Sequence, residues 1–233
     1  MGGLSNFIQG DIMEKHHILL QNQWIEYQLT YKNIKSIYLK VENGQLVIKA
    51  PFYTPLSFIE KNIIKYQSRL LKQIEHYQPY AVYKEDGYVY IFNKRYQIVY
   101  RDLKERKCQI HENNLYVYHY QISQTIEKFL KKKLLDYIEE KVIEYLAHDF
   151  DLDMPQIVIK KYKGRWGSCF YKDNKISFNL SLVHLEKDLI DYVIVHELTH
   201  FLQANHSSKF YCEMAKRMPD YKERQSRLKE KHI

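Results

Sequence analysis

His196-Glu197-Leu198-Thr199-His200 lies near the end of a strongly apolar-periodic segment that begins at Lys187 and contains no Pro or Gly. Leu189, Ile190, Val193, Ile194, Leu198, Phe201 and Leu202 recur there at spacings that give a helix with a buried face. Residues four apart on a helix are turned by only about 40° and separated by about 6 Å along the axis, so the imidazoles of His196 and His200 project from one face and can converge on one ion. Glu197 stands one position on, beside the ion. That offset suits a carboxylate that takes a proton from an attacking water and passes it to a leaving amine. The segment predicts a zinc-binding helix.

A catalytic zinc needs a third protein ligand, and His206 follows the helix in Asn205-His206-Ser207-Ser208. Three His with no nearby Cys pair leave a coordination position open for water, unlike a closed structural site. Metzincin sites place a third His at this distance but use a Gly between to turn the chain. Here that position is Gln203, so the turn is expected later, with Asn205 as a left-handed pivot. Glu213 on the following helical segment is a competing third ligand, ranked below His206. The alternative of two neutral, hydrogen-bonded core His would bury three polar side chains together without chemical need.

The 233-residue chain as a whole sets the frame. It is 45% hydrophobic with 22 Tyr but only 7 Gly and 5 Pro, which argues for a globular fold without long flexible linkers. No sequence repeat or low-complexity tract stands out. Cys108, Cys169 and Cys212 are far apart and form no C-x-x-C pair, as expected in a reducing compartment. No apolar run is long enough for a membrane span and no leader pattern opens the chain, so a soluble cytoplasmic location is expected. The net charge of +8 is spread over both halves, and its densest clusters, Lys128 with Lys131-Lys132-Lys133 and the 216–231 tail, sit among acids on helix-like segments. Such runs read as solvated faces.

Along the chain, residues 1–15 read as loosely attached. Alternation between Trp24 and Lys49 predicts strands, with Asn43-Gly44 as a hairpin turn. Thr54-Pro55 opens one helical stretch to about Tyr77, and strands return at 88–100 and 108–118. The Tyr-rich strands could offer a stacking platform for bases or carbohydrate, but no basic residues alternate regularly with the rings, so a half-buried sheet surface is the preferred reading. A long helix from Ser123 to about Phe150 is expected to back the metal helix. Strands at 157–159 and 175–180 flank Arg165-Trp166-Gly167-Ser168-Cys169-Phe170, and helices follow from Ser208 and after Pro219-Asp220. Strands beside a zinc helix supply an edge along which an extended peptide can add.

The C-terminal half resembles the YgjP-like zinc metallopeptidase family, related to gluzincin-type and SprT-like peptidases. The resemblance is carried by Arg165-Trp166-Gly167-Ser168-Cys169, by Ile176 to Leu180, by Asp191 to Leu198 leading into the metal helix, by Asn205-His206-Ser207 through Phe210, and by Met218 to Arg224. Tyr211, where the family usually has Trp, and Thr199, where Cys is frequent, depart from it. The resemblance implies an α+β fold, a zincin-like metallopeptidase domain over 121–233 with a β-rich N-terminal portion over 1–120. It implies Zn2+ held by His196, His200 and His206, Glu197 as general acid/base, and a peptide or protein substrate. The alternative is a DNA-associated protein, a SprT-like protease or adaptor, recruited by its basic surface. Tyr162, Arg165, Tyr171 and Tyr211 are candidates by type and position to steady an oxyanion.

Overall fold

The computed structural model describes residues 13–75 and 79–231. Alternating strands come first: β1 (Met13–Leu20), β2 (Gln23–Lys32), β3 (Tyr38–Glu42) and β4 (Gln45–Pro51) form two hairpins. Each hairpin turns through two residues of left-handed φ, Gln21 and Asn22 at 45° and 65°, and Asn43 and Gly44 at 52° and 74°. That backbone matches the twist of the flanking strands. The sheet order is β1-β2-β4-β3, with β2 and β4 parallel. Its inward residues Tyr27, Leu29, Leu46 and Ile48 are fully buried. They share a core with Ile59 and Ile63 of α1 (Leu56–Lys65) and Leu70 and Leu71 of α2 (Gln67–Glu75). Each such side chain contributes about 1.5–3 kcal/mol on burial.

Two expectations are corrected here. The single helix from Thr54 is two helices broken at Tyr66, whose N–H is shared between the Asn62 and Ile63 carbonyls, while the Asn62 side chain donates to the Phe58 carbonyl at 2.8 Å. A side chain bonding into the ladder bends a helix without disturbing its apolar stripe; residues 76–78 lie outside the described residues. Of the loosely attached stretch 1–15, Met13, Glu14 and Lys15 pair with Thr30, Leu29 and Gln28, and residues 1–12 lie outside the described residues.

The second unit starts at Tyr80. Strands β5 (Ala81–Val82), β6 (Tyr88–Ile91), β7 (Lys94–Tyr100), β8 (Cys108–His111) and β9 (Asn114–Val117) form a sheet of order β5-β6-β7-β9-β8, with β7 and β9 parallel. The β6-β7-β9-β8 arrangement repeats that of the first sheet. A helix again follows the last strand across a link of four residues: α3 (Ile122–His148). Ile98 opposes Leu115 as Tyr27 opposes Leu46. What recurs is the inward pattern and the strand pairing, which a search for repeated residues does not register.

The rest of the unit is a small sheet and three helices. Strand β10 (Gln156–Lys160) runs parallel to β12 (Lys175–Asn179), and β11 (Gly167–Phe170) runs antiparallel to β12 at the sheet edge. Helices α4 (Lys187–Leu202), α5 (Ser208–Arg217) and α6 (Tyr221–Lys229) complete the chain. The sheet residues Val89, Ile98 and Leu115, the α3 residues Ile126 and Leu130, and Phe178, Ile190 and Val193 belong to one core. The Phe92 N–H donates to the Val183 carbonyl at 2.7 Å, and His184 Nδ1–H donates to the Tyr90 carbonyl at 2.6 Å. The second sheet is thereby tied to the approach to α4, and the expected boundary at residue 120 falls inside this unit, the two units meeting in sequence at Pro79 and Tyr80. Helix α3 backs α4 as expected, with Tyr137 donating to Asp191 at 2.6 Å. No described helix is long and apolar enough to cross a membrane.

Candidate metal centre

Helix α4 is buried along most of its length, which fixes its rotation and leaves His196 and His200 on the side facing α5. It ends at Leu202, where Gln203 turns extended (φ −140°, ψ 104°) and its N–H caps the Thr199 carbonyl at 2.9 Å. No residue from 203 to 207 has a positive φ. The expected left-handed pivot at Asn205 is therefore absent, and the extended Gln203 breaks the helix instead. The chain returns His206 to the two helical imidazoles just before α5.

The three rings converge. Centroids of His196 and His200, His196 and His206, and His200 and His206 are 5.0, 4.9 and 4.8 Å apart. One nitrogen from each lies within 4.8 Å of the others, and Nε2 of His196 is 3.0 Å from Nε2 of His206. A tetrahedral zinc with nitrogens at about 2.0–2.1 Å asks for nitrogen separations near 3.3 Å. Phe210, fully buried, lies 4.8–5.0 Å by ring centroid from all three imidazoles and floors the group. His200 Nδ1–H donates to the Gln203 carbonyl at 3.2 Å, which leaves Nε2 with its lone pair free. Burial, reinforced by the neighbouring rings, pushes His196 down to about 3, and burial also lowers His200. Neutral imidazole is the form a metal binds. These donors fit a divalent ion with a position left open.

Glu197 turns from α4 onto strand β11. It is 5% exposed, accepts a hydrogen bond from the Cys169 N–H, and its Oε2 has no hydrogen-bond partner among the described residues. Burial pushes its pKa up to about 8, against the opposing pull of the Cys169 N–H and the Arg165 charge. The close approach depends on Gly167. A Cβ there would stand 2.5 Å from Oε1, 2.8 Å from Cγ and 2.9 Å from Cδ of Glu197. Asn179 holds the preceding loop: its amide donates to the carbonyls of Tyr162 and Arg165 at 2.9 Å each, and its N–H donates to the Trp166 carbonyl at 2.8 Å.

The His group and Glu197 open into a cleft of about 340 Å³ lined also by Arg165, Cys169 and Tyr171. Of the sequence candidates, His196, Glu197, His200, His206, Arg165 and Tyr171 come together. Tyr162 bonds Ser177 Oγ at 2.6 Å, and Tyr211 is stacked between His206 and Tyr221. Glu213 is held by Lys216 and Arg217 at 2.6 Å each, which lowers its pKa, and it stands outside the His group. Sequence reasoning did not assign roles to Gly167, Asn179, Gln203 or Phe210. A Gly inside a strand does signal close approach of another group, but what approaches is set by the fold.

The family description of the YgjP-like metallopeptidase domain matches residues 35–231. No curated protein matches the chain. Similar solved structures include the metallopeptidase zymogen of Pyrococcus abyssi abylysin, 24% identical, covering 41% of this chain and 90% of that one at a TM-score of 0.35. Another is the zymogen of Methanocaldococcus jannaschii jannalysin, 25% identical, covering 41% of this chain and 92% of that one at 0.34.

Proposed function

The chain belongs to the YgjP-like metallopeptidase family, and we propose that it hydrolyses peptide bonds with zinc held by His196, His200 and His206 and with Glu197 as the proton carrier. The observation that carries this reading is Glu197 itself, a buried carboxylate with an oxygen unpartnered among the described residues, beside three converging imidazoles. A purely structural site has no use for that group. Zinc, when bound, supplies Lewis acidity that acidifies water and polarises a carbonyl. Glu197 then accepts the proton of the attacking water and delivers it to the departing amine. Desolvation, which raises its pKa, also strengthens it as a base, and the Cys169 N–H keeps its other oxygen in place. The edge of β11 offers backbone groups to an extended substrate strand. Arg165 and Tyr171, at the same cleft, are the side chains we assign to meet the substrate carbonyl.

The test is the metal content of the purified protein beside Glu197→Gln and His206→Ala, with cleavage of a quenched-fluorescent peptide mixture measured on each. One zinc per chain, kept without hydrolysis in Glu197→Gln and bound far more weakly in His206→Ala, is the expected result. Full turnover by Glu197→Gln removes Glu197 from the reaction, and wild-type protein without zinc under conditions that do not strip metal refutes the metal reading.

A further inference from the structure

The second sheet has one face in the core and another of a different kind. Strand alternation sends Val89, Ile98, Leu115 and Val117 inward. It sends Tyr88, Tyr90, Arg95 and Tyr116 to the opposite side, with Tyr90 across from Arg95 and Tyr116 between Val99 and Gln109. These tyrosines and Tyr118 are neither buried nor part of a core cluster. Three of the four rings carry a cation. The Arg95 guanidinium is 4.5 Å from the Tyr88 centroid, Arg101 is 5.9 Å from Tyr116, and Lys107 is 5.3 Å from Tyr118. Arg95, Arg101 and Lys107 are exposed, so the face is open.

The regular alternation of rings and basic residues that the sequence lacks is supplied by the sheet. Arg95 of β7 reaches a ring on β6, and Lys107, just before β8, reaches a ring just after β9. Strands β6 to β9 contain no Asp or Glu. The nearby acids lie in the connections, as Glu85, Asp86, Asp102, Glu105 and Glu112, and Glu105 is ion-paired with Lys107. Lys107 also marks where this face rounds the β8 edge into a recess of about 440 Å³ floored by Thr125 and Phe129. Arg106, Lys128, Lys132 and Lys133 surround that recess, against one acid, Asp136. Lys128 and Lys132 stand one helical turn apart, about 6 Å along α3.

We propose that this face binds single-stranded nucleic acid, its tyrosines and guanidinium groups stacking on bases while the cations of the recess hold phosphates. Every base presents a π-face, so rings joined to a positive track bind a single strand with little regard to sequence. A duplex keeps its bases stacked and offers the face only phosphates. An acidic peptide satisfies the cations but leaves the rings unused. The inference stands apart from the peptidase reading, because none of these residues lines the His cleft.

Fluorescence anisotropy of the full chain with labelled oligo(dT) and oligo(rU) tests it, with a matching duplex and polyglutamate as competitors and zinc content as a check on the other site. The double variant Tyr116→Ala/Tyr118→Ala weakens binding by roughly tenfold or more. The double variant Tyr116→Phe/Tyr118→Phe binds like wild type, which separates loss of the rings from loss of the fold. Lys128→Gln/Lys132→Gln lowers the slope of log affinity against log salt by about 1.4. Preference for either oligonucleotide supports the proposal and says which nucleic acid is meant. It is overturned if neither binds, if duplex or polyglutamate competes equally well, or if binding survives removal of the rings.

Discussion

Replacing Gly167 by Ala probes the mechanism without touching a ligand or the proposed base. The backbone at Gly167 is not in the left-handed region, so Ala is conformationally acceptable and the perturbation is steric. The new methyl would start 2.5 Å from Glu197 Oε1. Relief to an ordinary contact of about 3.4 Å displaces the carboxylate by nearly 1 Å, because the strand carrying Gly167 is pinned to β12 and by Asn179. A misplacement of about 1 Å in a reacting group costs on the order of a hundredfold in rate. Overpacking costs about 1–3 kcal/mol, or a melting temperature lower by about 2–12 °C for a unit of this size. The assay is kcat/KM on a quenched-fluorescent peptide mixture, with zinc per chain measured on the same sample. The expected variant keeps its zinc and loses about two orders of magnitude in kcat/KM. Cleavage at the wild-type rate refutes the contact as a positioning device, and loss of zinc in proportion to activity shows that the whole site has collapsed.

Two further outcomes follow from the same geometry. Glu197 has a folded-state pKa raised from the ordinary carboxylate value to about 8, so in metal-free protein its contribution to stability is full below the ordinary value and lost as pH rises through about 8. The loss is bounded above by about 5 kcal/mol over the whole range; between about pH 6.5 and 8, above the window in which His196 acts the other way, denaturation midpoints in chelator should fall in wild type and stay flat in Glu197→Gln, and parallel curves there would sink the idea. His196, held down near 3, acts with the opposite sign, its stability present above the ordinary imidazole value and lost as pH falls through about 3. Asn179→Ala leaves the Tyr162 and Arg165 carbonyls without their donor, and should cost about 2–4 kcal/mol in urea denaturation and lower kcat/KM with zinc retained. An unchanged midpoint would mean that the loop before β11 holds itself.

The parts legible in the sequence are those governed by local periodicity and local chemistry. The α4 stripe, the His spacing and the Asn43-Gly44 turn each follow from a few adjacent residues. Strand β1 was harder to read, because His16 and His17 interrupt the apolar alternation with residues that serve on either face. The Asn62 bond that breaks the 56–75 helix is a single side-chain event invisible to an apolar stripe. The unit boundary depends on which sheet α3 covers, and the partner of Gly167 lies thirty positions away in sequence. Such facts arise only when distant segments meet.

The paired hairpins have a kinetic consequence. Each hairpin is closed by a two-residue turn and can form within about 1–10 μs of the chain's release. The parallel pairing of β2 with β4 must wait for both, since it spans the loop between them. The described core of the first unit lies between Ile18 and Ile74, so that core can complete itself on the ribosome while α4 is still unsynthesised. The second unit buries Val89 in the same core as Leu228, so although α3 follows its sheet directly, that core is completed only when α4 to α6 emerge. The nascent chain therefore carries an unfinished second core until its last helix is made, and holdase chaperones would find their longest-lived target there.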